Sequence, residues 1–316
     1  MDPFLVITNS SAGTSDDDKL ARAIAILREH ASVETTATGS PGELDGVLHR
    51  AGSRRIIVAG GDGSIHAVVA ALHRRNELNG KVIGLLPLGT GNDFARGTGI
   101  PLEIELAAQL LVTGEPRPVD LLVDEVGDIV VNNVHAGAGA QASRTAVGWK
   151  ARLGAIGVGG LNLGKLGYPI GALIASVKPV QVRLRVEVDG RVVNDLDQPV
   201  LMVALGNASY VGGGTELNPD ADPENGRIDV IVSRAVGPLA RYAYAASLRL
   251  GRHPERDDVI HVRGNQVSIS GAEFWCSADG ELYGPERQRT WRVERAAYSM
   301  ILPPVAASAT GAPQAD

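Results

Sequence analysis

Two glycine-rich turns hold the residues best suited to chemistry. The first is Val58-Ala59-Gly60-Gly61-Asp62-Gly63-Ser64, between an apolar run and a helical pattern. Its glycines let the backbone reverse sharply and approach a ligand closely. The helix that follows would point free N–H groups at whatever sits above the turn, an arrangement that suits phosphate. Asp62 would be repelled by phosphate unless a cation lay between them, so it points to Mg²⁺ or to proton transfer. A plain strand-to-helix turn with Asp62 as a cap accounts for the same residues. The second turn is Pro87-Leu88-Gly89-Thr90-Gly91-Asn92-Asp93-Phe94-Ala95-Arg96, which adds a hydroxyl, an amide and another carboxylate. Neither is a Walker A loop, because no Gly-Lys-Ser/Thr follows. The run Gly137-Ala138-Gly139-Ala140-Gln141-Ala142 fits a loose dinucleotide fingerprint but lacks the helix and the acidic partner that would complete it.

The elements around these turns fall into two regimes. Residues 4–8, 32–36, 55–59 and 81–86 read as strands, with 55–59 fully buried, and residues 16–30, 43–51, 64–75 and 102–113 as helices. Alternation of this kind indicates an open α/β sheet with parallel pairing. Consecutive Gly/Asp turns at its strand ends would meet in one crevice. From Arg117 on, short β-rich runs dominate: 119–123, 129–134, 180–188, 200–205, 228–232, 259–262, 266–270 and 290–295. They predict an antiparallel sandwich or barrel, interrupted by helical inserts near 155–176 and 239–250. The expected division is 1–118, 119–302 and a disordered tail at 303–316.

Composition narrows the function classes. Of 316 residues, 44% are hydrophobic and 21% charged, enough for a full core. Aromatics at 4% and a net charge of −6 disfavour nucleic acid as a partner. The single cysteine, Cys276, excludes an intrachain disulfide and reads as a buried thiol. The apolar run at 4–7 has no basic residue before it and reads as a strand rather than an export signal. Residues 153–177 are broken by seven glycines, Lys165 and Pro169, so no span is expected and a cytoplasmic protein is. Residues 129–186 and 230–254 contain no Asp or Glu but several Lys and Arg. They read either as a solvated face or as a surface for phosphate or anionic lipid. The seven histidines show no metal spacing, and His66, His135 and His261 read as packing or surface residues. Tyr242, Tyr244, Leu248 and Leu250 with Arg241 and Arg249 fit an interfacial helix or a packed one equally.

Taken together, Gly-Gly-Asp-Gly-Ser at 60–64 and Leu-Gly-Thr-Gly-Asn-Asp-Phe-Ala-Arg at 88–96 resemble the soluble diacylglycerol kinase family, which includes sphingosine and ceramide kinases. The resemblance runs to about residue 302. Asn9-Ser10-Ser11-Ala12-Gly13 is similar to the family's first nucleotide loop, and Thr38 to a further nucleotide contact. Asn207 and Gly212-Gly213-Gly214 match a family turn, and Asp279-Gly280-Glu281 matches the segment that carries the catalytic base. The resemblance implies a phosphofructokinase-like α/β nucleotide domain followed by a β-sandwich domain, with residues near 285–302 packing back on the first. It implies ATP held by Asn9, Ser10, Ser11, Ala12, Gly13, Thr38, Gly60, Gly61, Asp62, Gly63, Ser64, Thr90, Gly91, Asn92 and Asp93. It implies Mg²⁺ at Asp62, Asp93 and Asp120, and a structural magnesium site at Asp222, Asn225 and Arg227. Asp279 is expected as the base with Glu281 as its support. The reaction implied is phosphorylation of diacylglycerol at a membrane surface, with peripheral contact to the inner face of the membrane and a homodimer left open. Ceramide, a sphingoid base, NAD or a role as a non-catalytic sensor are the alternatives. Two residues depart from the family pattern: Thr14 stands where many bacterial members have lysine, and Asn225 is neutral where a charged ligand is expected.

Overall fold

A computed structural model of the chain describes residues 3–10, 14–137, 140 and 182–304. In order, β1 (Phe4–Asn9), α1 (Thr14–Arg28), β2 (Val33–Thr38), α2 (Pro41–His49), β3 (Arg55–Gly60), α3 (Asp62–Arg74), β4 (Val82–Pro87), α4 (Asp93–Gly97) and α5 (Ile104–Thr113) make the first part. The strands pair in parallel in the order β2-β1-β3-β4. Strands β1, β3 and β4 are buried along most of their length because they are apolar on both faces, as a parallel sheet covered by helices requires. At the edge, β2 is threonine-rich and largely exposed. Helix α2 starts where Ser40 accepts from the Glu43 amide at 3.3 Å while Glu43 accepts from the Gly39 amide at 2.7 Å. With Pro41 in its first turn, this capping pattern fixes the chain just after Thr38.

The second part contains β5 (Glu115–Asp124), β6 (Ile129–Val130), β7 (Asn133–Gly137), β8 (Leu184–Val188), β9 (Arg191–Asn194), β10 (Met202–Gly206), β11 (Tyr210–Val211), β12 (Thr215–Glu216) and β13 (Ile228–Ser233). It continues with α6 (Pro238–Arg249), a 3-10 turn at His253–Glu255, β14 (Val259–Gly264), β15 (Gln266–Ala278) and β16 (Glu281–Leu302). The pairing is antiparallel along β14-β13-β10-β7-β15-β16, with β8 and β9 added beside β15. The insert expected near 155–176, most of the first acid-free stretch and residues 305–316 lie outside the described residues. No helix among the described residues is long and apolar enough to cross a membrane.

Strand β16 belongs to both parts. It pairs with β15, runs antiparallel to β5, and ends parallel to β4 through Ser299↔Val82 and Met300↔Ile83. The runs read as short strands at 119–123 and 290–295 are the middles of these two long ones. Side chains alternate between two cores. Leu121, Val123, Tyr298 and Met300 join the α/β core, and Leu122 and Trp291 join the sandwich core. A boundary at 118 therefore cuts through β5 and parts β16 from its parallel partner.

Because Leu121 and Leu122 are both fully buried but in different cores, Leu121→Ala and Leu122→Ala should each cost about 2–5 kcal/mol in denaturant unfolding. A loss under about 1 kcal/mol for either would mean that its core is not packed as described.

Candidate active site

A cavity of about 530 Å³ opens at the C-terminal ends of β1 and β3, over the start of α3. Asn9, Thr38, Gly61, Gly63 and Ser64 line it, together with Ser40, His66, Ala67 and Arg74. Among the described residues no side chain caps α3; the amides of Ser64 and Ile65 turn to Gly61 O, which leaves those of Asp62 and Gly63 open to an anion. Ser11, Ala12 and Gly13 lie outside the described residues. Ser10 donates its amide to Thr38 O at 3.1 Å, and Gly60 O accepts from Leu88 at 3.0 Å, so both tie neighbouring strand ends together.

The two glycine turns touch backbone to backbone. A Cβ on Gly89 would stand 2.4 Å from Gly61 Cα, so this contact tolerates no side chain. Asn92 is left-handed, with φ 53°, and donates to Gly89 O at 2.7 Å. Asp62 Oδ1 accepts from the Phe94 amide at 2.9 Å, so the carboxylate of the first turn caps the helix of the second. Asp93 is buried and accepts from the amides of Gly213 and Gly214 at 2.7–3.1 Å. Those two glycines have φ of 87° and 111°, which turn consecutive N–H groups onto one acceptor. Burial raises the Asp93 pKa and the Asp62 charge adds to it, against the two glycine amides and Arg96. Gly89 and Asn92 pack against Gly61, and none of Asp62, Thr90, Gly91, Asn92 and Asp93 is among the residues lining the cavity.

The expected three-carboxylate set is not assembled. Asp120 accepts from Gly226 N at 2.6 Å and from Ala296 N at 2.9 Å, and its charged neighbours are Arg295 and Asp222. It fills the irregularity in β16 between Glu294 and Tyr298 and holds the 222–227 loop. Within that loop, Asp222 Oδ1 accepts from Glu224 N and Asn225 Oδ1 from Arg227 N, each in a local turn. Among the described residues, no group of three or more His, Cys, Asp or Glu side chains is placed to hold a metal ion. Asn207, also singled out, is buried and donates to the carbonyls of Asp120 and Val131.

Asp279 and Glu281 differ sharply. They do not lie on one extended strand. Asp279 (φ 47°) and Gly280 (φ 89°) form the two-residue turn between β15 and β16, with Ala278 paired to Glu281. The Asp279 side chain is 2% exposed. Its Oδ2 accepts from Val131 N at 2.7 Å and faces His66 Nδ1 at 2.8 Å, and its Oδ1 accepts from Asn132 N and Asn133 N at 2.9 and 3.1 Å. All four lone-pair directions are thus occupied. Glu281 is exposed. His66, which reads from the sequence as a packing or surface residue, both lines the cavity and touches Asp279. The readable signal was a helix face at 63, 66, 67, 70 and 74 made of small and basic residues instead of aliphatic ones. Cys276 is buried as expected, and burial pushes its thiol up to about 11.

Residues 3–123 match the diacylglycerol kinase catalytic domain, and residues 132–301 match the YegS C-terminal NAD kinase beta sandwich-like domain. A Chromohalobacter salexigens protein named "Probable lipid kinase YegS-like" is 31% identical over 236 residues, 74% of this chain and 71% of that protein. A Bacillus subtilis protein named "Diacylglycerol kinase" is 29% identical over 289 residues, 88% of this chain and 89% of that protein. A crystal structure of a diacylglycerol kinase from Bacillus anthracis superposes with a TM-score of 0.74 at 24% identity, covering 96% of this chain and 97% of that one, a likeness of fold.

Removing the Asp279 carboxylate would leave three buried amides without an acceptor, whereas Glu281 accepts no such bonds from the described residues. Asp279→Ala should cost at least about 3 kcal/mol in chemical unfolding, and Glu281→Ala less than about 0.5 kcal/mol. Equal costs would contradict this division of roles.

Proposed function

The chain belongs to the lipid kinase family that joins a diacylglycerol kinase catalytic domain to a YegS-type C-terminal domain, and from this we propose that it transfers the γ-phosphoryl group of ATP to the free hydroxyl of diacylglycerol. The observation that carries this reading is a helix end open to a cavity whose wall residue His66 touches Asp279 and lies within the field of the exposed carboxylate Glu281.

In this reading the N–H groups at the start of α3 and the side chains of Asn9, Thr38 and Ser64 hold the nucleotide, with the loop at 11–13. Asp62 is the residue that fits a divalent cation. Its Oδ1 is engaged by Phe94, its Oδ2 accepts no bond from the described residues, and it stands beside a second carboxylate, Asp93, whose like charge a cation would relieve. Bound there, magnesium supplies charge neutralisation at the phosphates. Asp62 is held by the Phe94 amide, and Asp93, the residue before Phe94, is itself tied to Gly213 and Gly214. The lipid hydroxyl oxygen forms a new bond to the γ-phosphorus as the bond to the bridging oxygen breaks and ADP leaves. The hydroxyl proton passes to Glu281. Asp279 is the less suitable base because its lone pairs are already taken, and it serves instead to position the turn that presents Glu281. This reverses the sequence-based assignment of the two.

Peripheral membrane contact is supported by α6. Leu239, Tyr242 and Leu250 are 86%, 61% and 71% exposed, with Ala243, Ala246 and Arg249 exposed on the same helical stripe and Arg252 just beyond. Tyr244, Leu248 and Arg241 face inward. The outward side is therefore apolar and basic, and such a surface suits an anionic bilayer.

Purified protein should transfer ³²P from ATP to diacylglycerol in preference to ceramide, sphingosine, phosphatidylinositol or NAD. Glu281→Gln and Asp62→Asn should each lower turnover by at least about 10²-fold, with Glu281→Gln retaining its nucleotide affinity. Label on another acceptor would move the substrate assignment, and full turnover by Glu281→Gln would remove it as the base. Binding to vesicles should rise with the anionic lipid fraction, fall with salt, and weaken in Leu239→Glu/Leu250→Glu. Equal binding to neutral and anionic vesicles would refute the assignment of α6.

A further inference from the structure

His66 stands where the two halves of the site meet. It lies one helical turn after Asp62 on α3, lines the cavity, and places Nδ1 at 2.8 Å from Asp279 Oδ2. An ionised carboxylate only accepts, so Nδ1 carries a proton and donates. Nε2 is then the nitrogen left to the cavity, with no protein partner among the described residues. His66 and Arg74 are the basic side chains of the described cavity wall. The carboxylates facing His66 come from three places: Asp279 in the β15–β16 turn, Glu281 at the start of β16, and Asp128 between β5 and β6. Burial opposes charge on the ring. The bond to Asp279 and the fields of Asp279, Glu281 and Asp128 outweigh it, and the pKa is raised above the usual value.

We infer that His66 is a phosphate-binding imidazolium, anchored by Asp279 through Nδ1 and donating through Nε2 to a terminal phosphoryl oxygen of the nucleotide. The inference rests on the reading that this cavity holds the nucleotide. It adds a charged contact on the side of the γ-phosphoryl group nearest Glu281, so one side chain brings the nucleotide helix and the base-bearing turn into register. The neutral ring, with Nδ1–H still on Asp279, would turn the lone pair of Nε2 toward a phosphoryl oxygen. The contact is therefore made by the protonated ring and lost as pH rises through its pKa.

The test separates charge from structure. Asn at this position puts its amide nitrogen near that of Nδ1 and keeps the link to Asp279, but it has neither the charge nor an Nε2 donor. Gln puts its nitrogen near Nε2 and likewise carries no charge. Binding of ATP and of adenosine to the full chain would be measured by calorimetry from pH 6 to 9 at fixed magnesium, for wild type, His66→Asn and His66→Gln. Comparison at each pH cancels the titration of ATP itself. Wild type should bind ATP more tightly than His66→Asn by on the order of tenfold at low pH, the worth of one charge-assisted hydrogen bond. The advantage should vanish at high pH, and adenosine affinity should be equal throughout. The Gln variant should show no such pH-dependent advantage and provides the same readout if the Asn variant does not fold. A pH dependence shared by wild type and both variants, or equal losses for ATP and adenosine, would overturn the inference. A wild type that binds neither nucleotide would overturn both the inference and the kinase reading. ATP binding with this pH signature but no transfer to lipid would sink only the substrate assignment.

Discussion

The Asp279 carboxylate organises the site. It accepts from three successive backbone amides, at 131–133, and from His66 on the opposite side. Few arrangements hold a side chain so firmly, since each displaced bond would leave a buried donor without a partner. The turn that carries Asp279 must accept a left-handed residue to make the reach. Once it does, three pieces are set relative to one another: the entry to β7, the helix that opens on the cavity, and the strand that begins with Glu281. The acid holds geometry, and the neighbour two residues on, Glu281, stays exposed at the start of β16.

A second carboxylate pair works in a related way. Asp62 caps α4, and Asp93 is enclosed by glycine amides. Each acid is used by backbone from another segment, so the two glycine turns and the 212–214 turn interlock. The mutual repulsion of Asp62 and Asp93 is the electrostatic cost of that arrangement. It is also what makes the spot receptive to positive charge.

The parallel strands and the two turns were legible because β-branched runs and glycines report on local backbone needs. Gly61, Gly63 and Ser64 were legible for the same reason, whereas Asn9 and Thr38 were placed by resemblance; all five line the cavity. Helix α4 was not legible, since five residues carry no periodicity. The lengths of β5 and β16 were hidden by Pro116, Pro118, Gly284 and Pro285, which read as turns until the partner strands are known. Asp120 was grouped with Asp62 and Asp93 by resemblance, while its bonds run to residues 226 and 296. The roles of Asp279 and His66 depend on contacts across more than a hundred positions of sequence, which spacing does not encode.

The parallel pairing of β16 with β4 also bears on how the chain is made. Ser299 meets Val82, so the first sheet waits for a strand that leaves the ribosome more than 200 residues after its partner. During that interval β4 is an unfinished sheet edge, a template for wrong pairings. Closing so long a loop is slow relative to local folding. The α/β half is therefore synthesised first but completed late, and its maturation is tied to the successful synthesis of everything between.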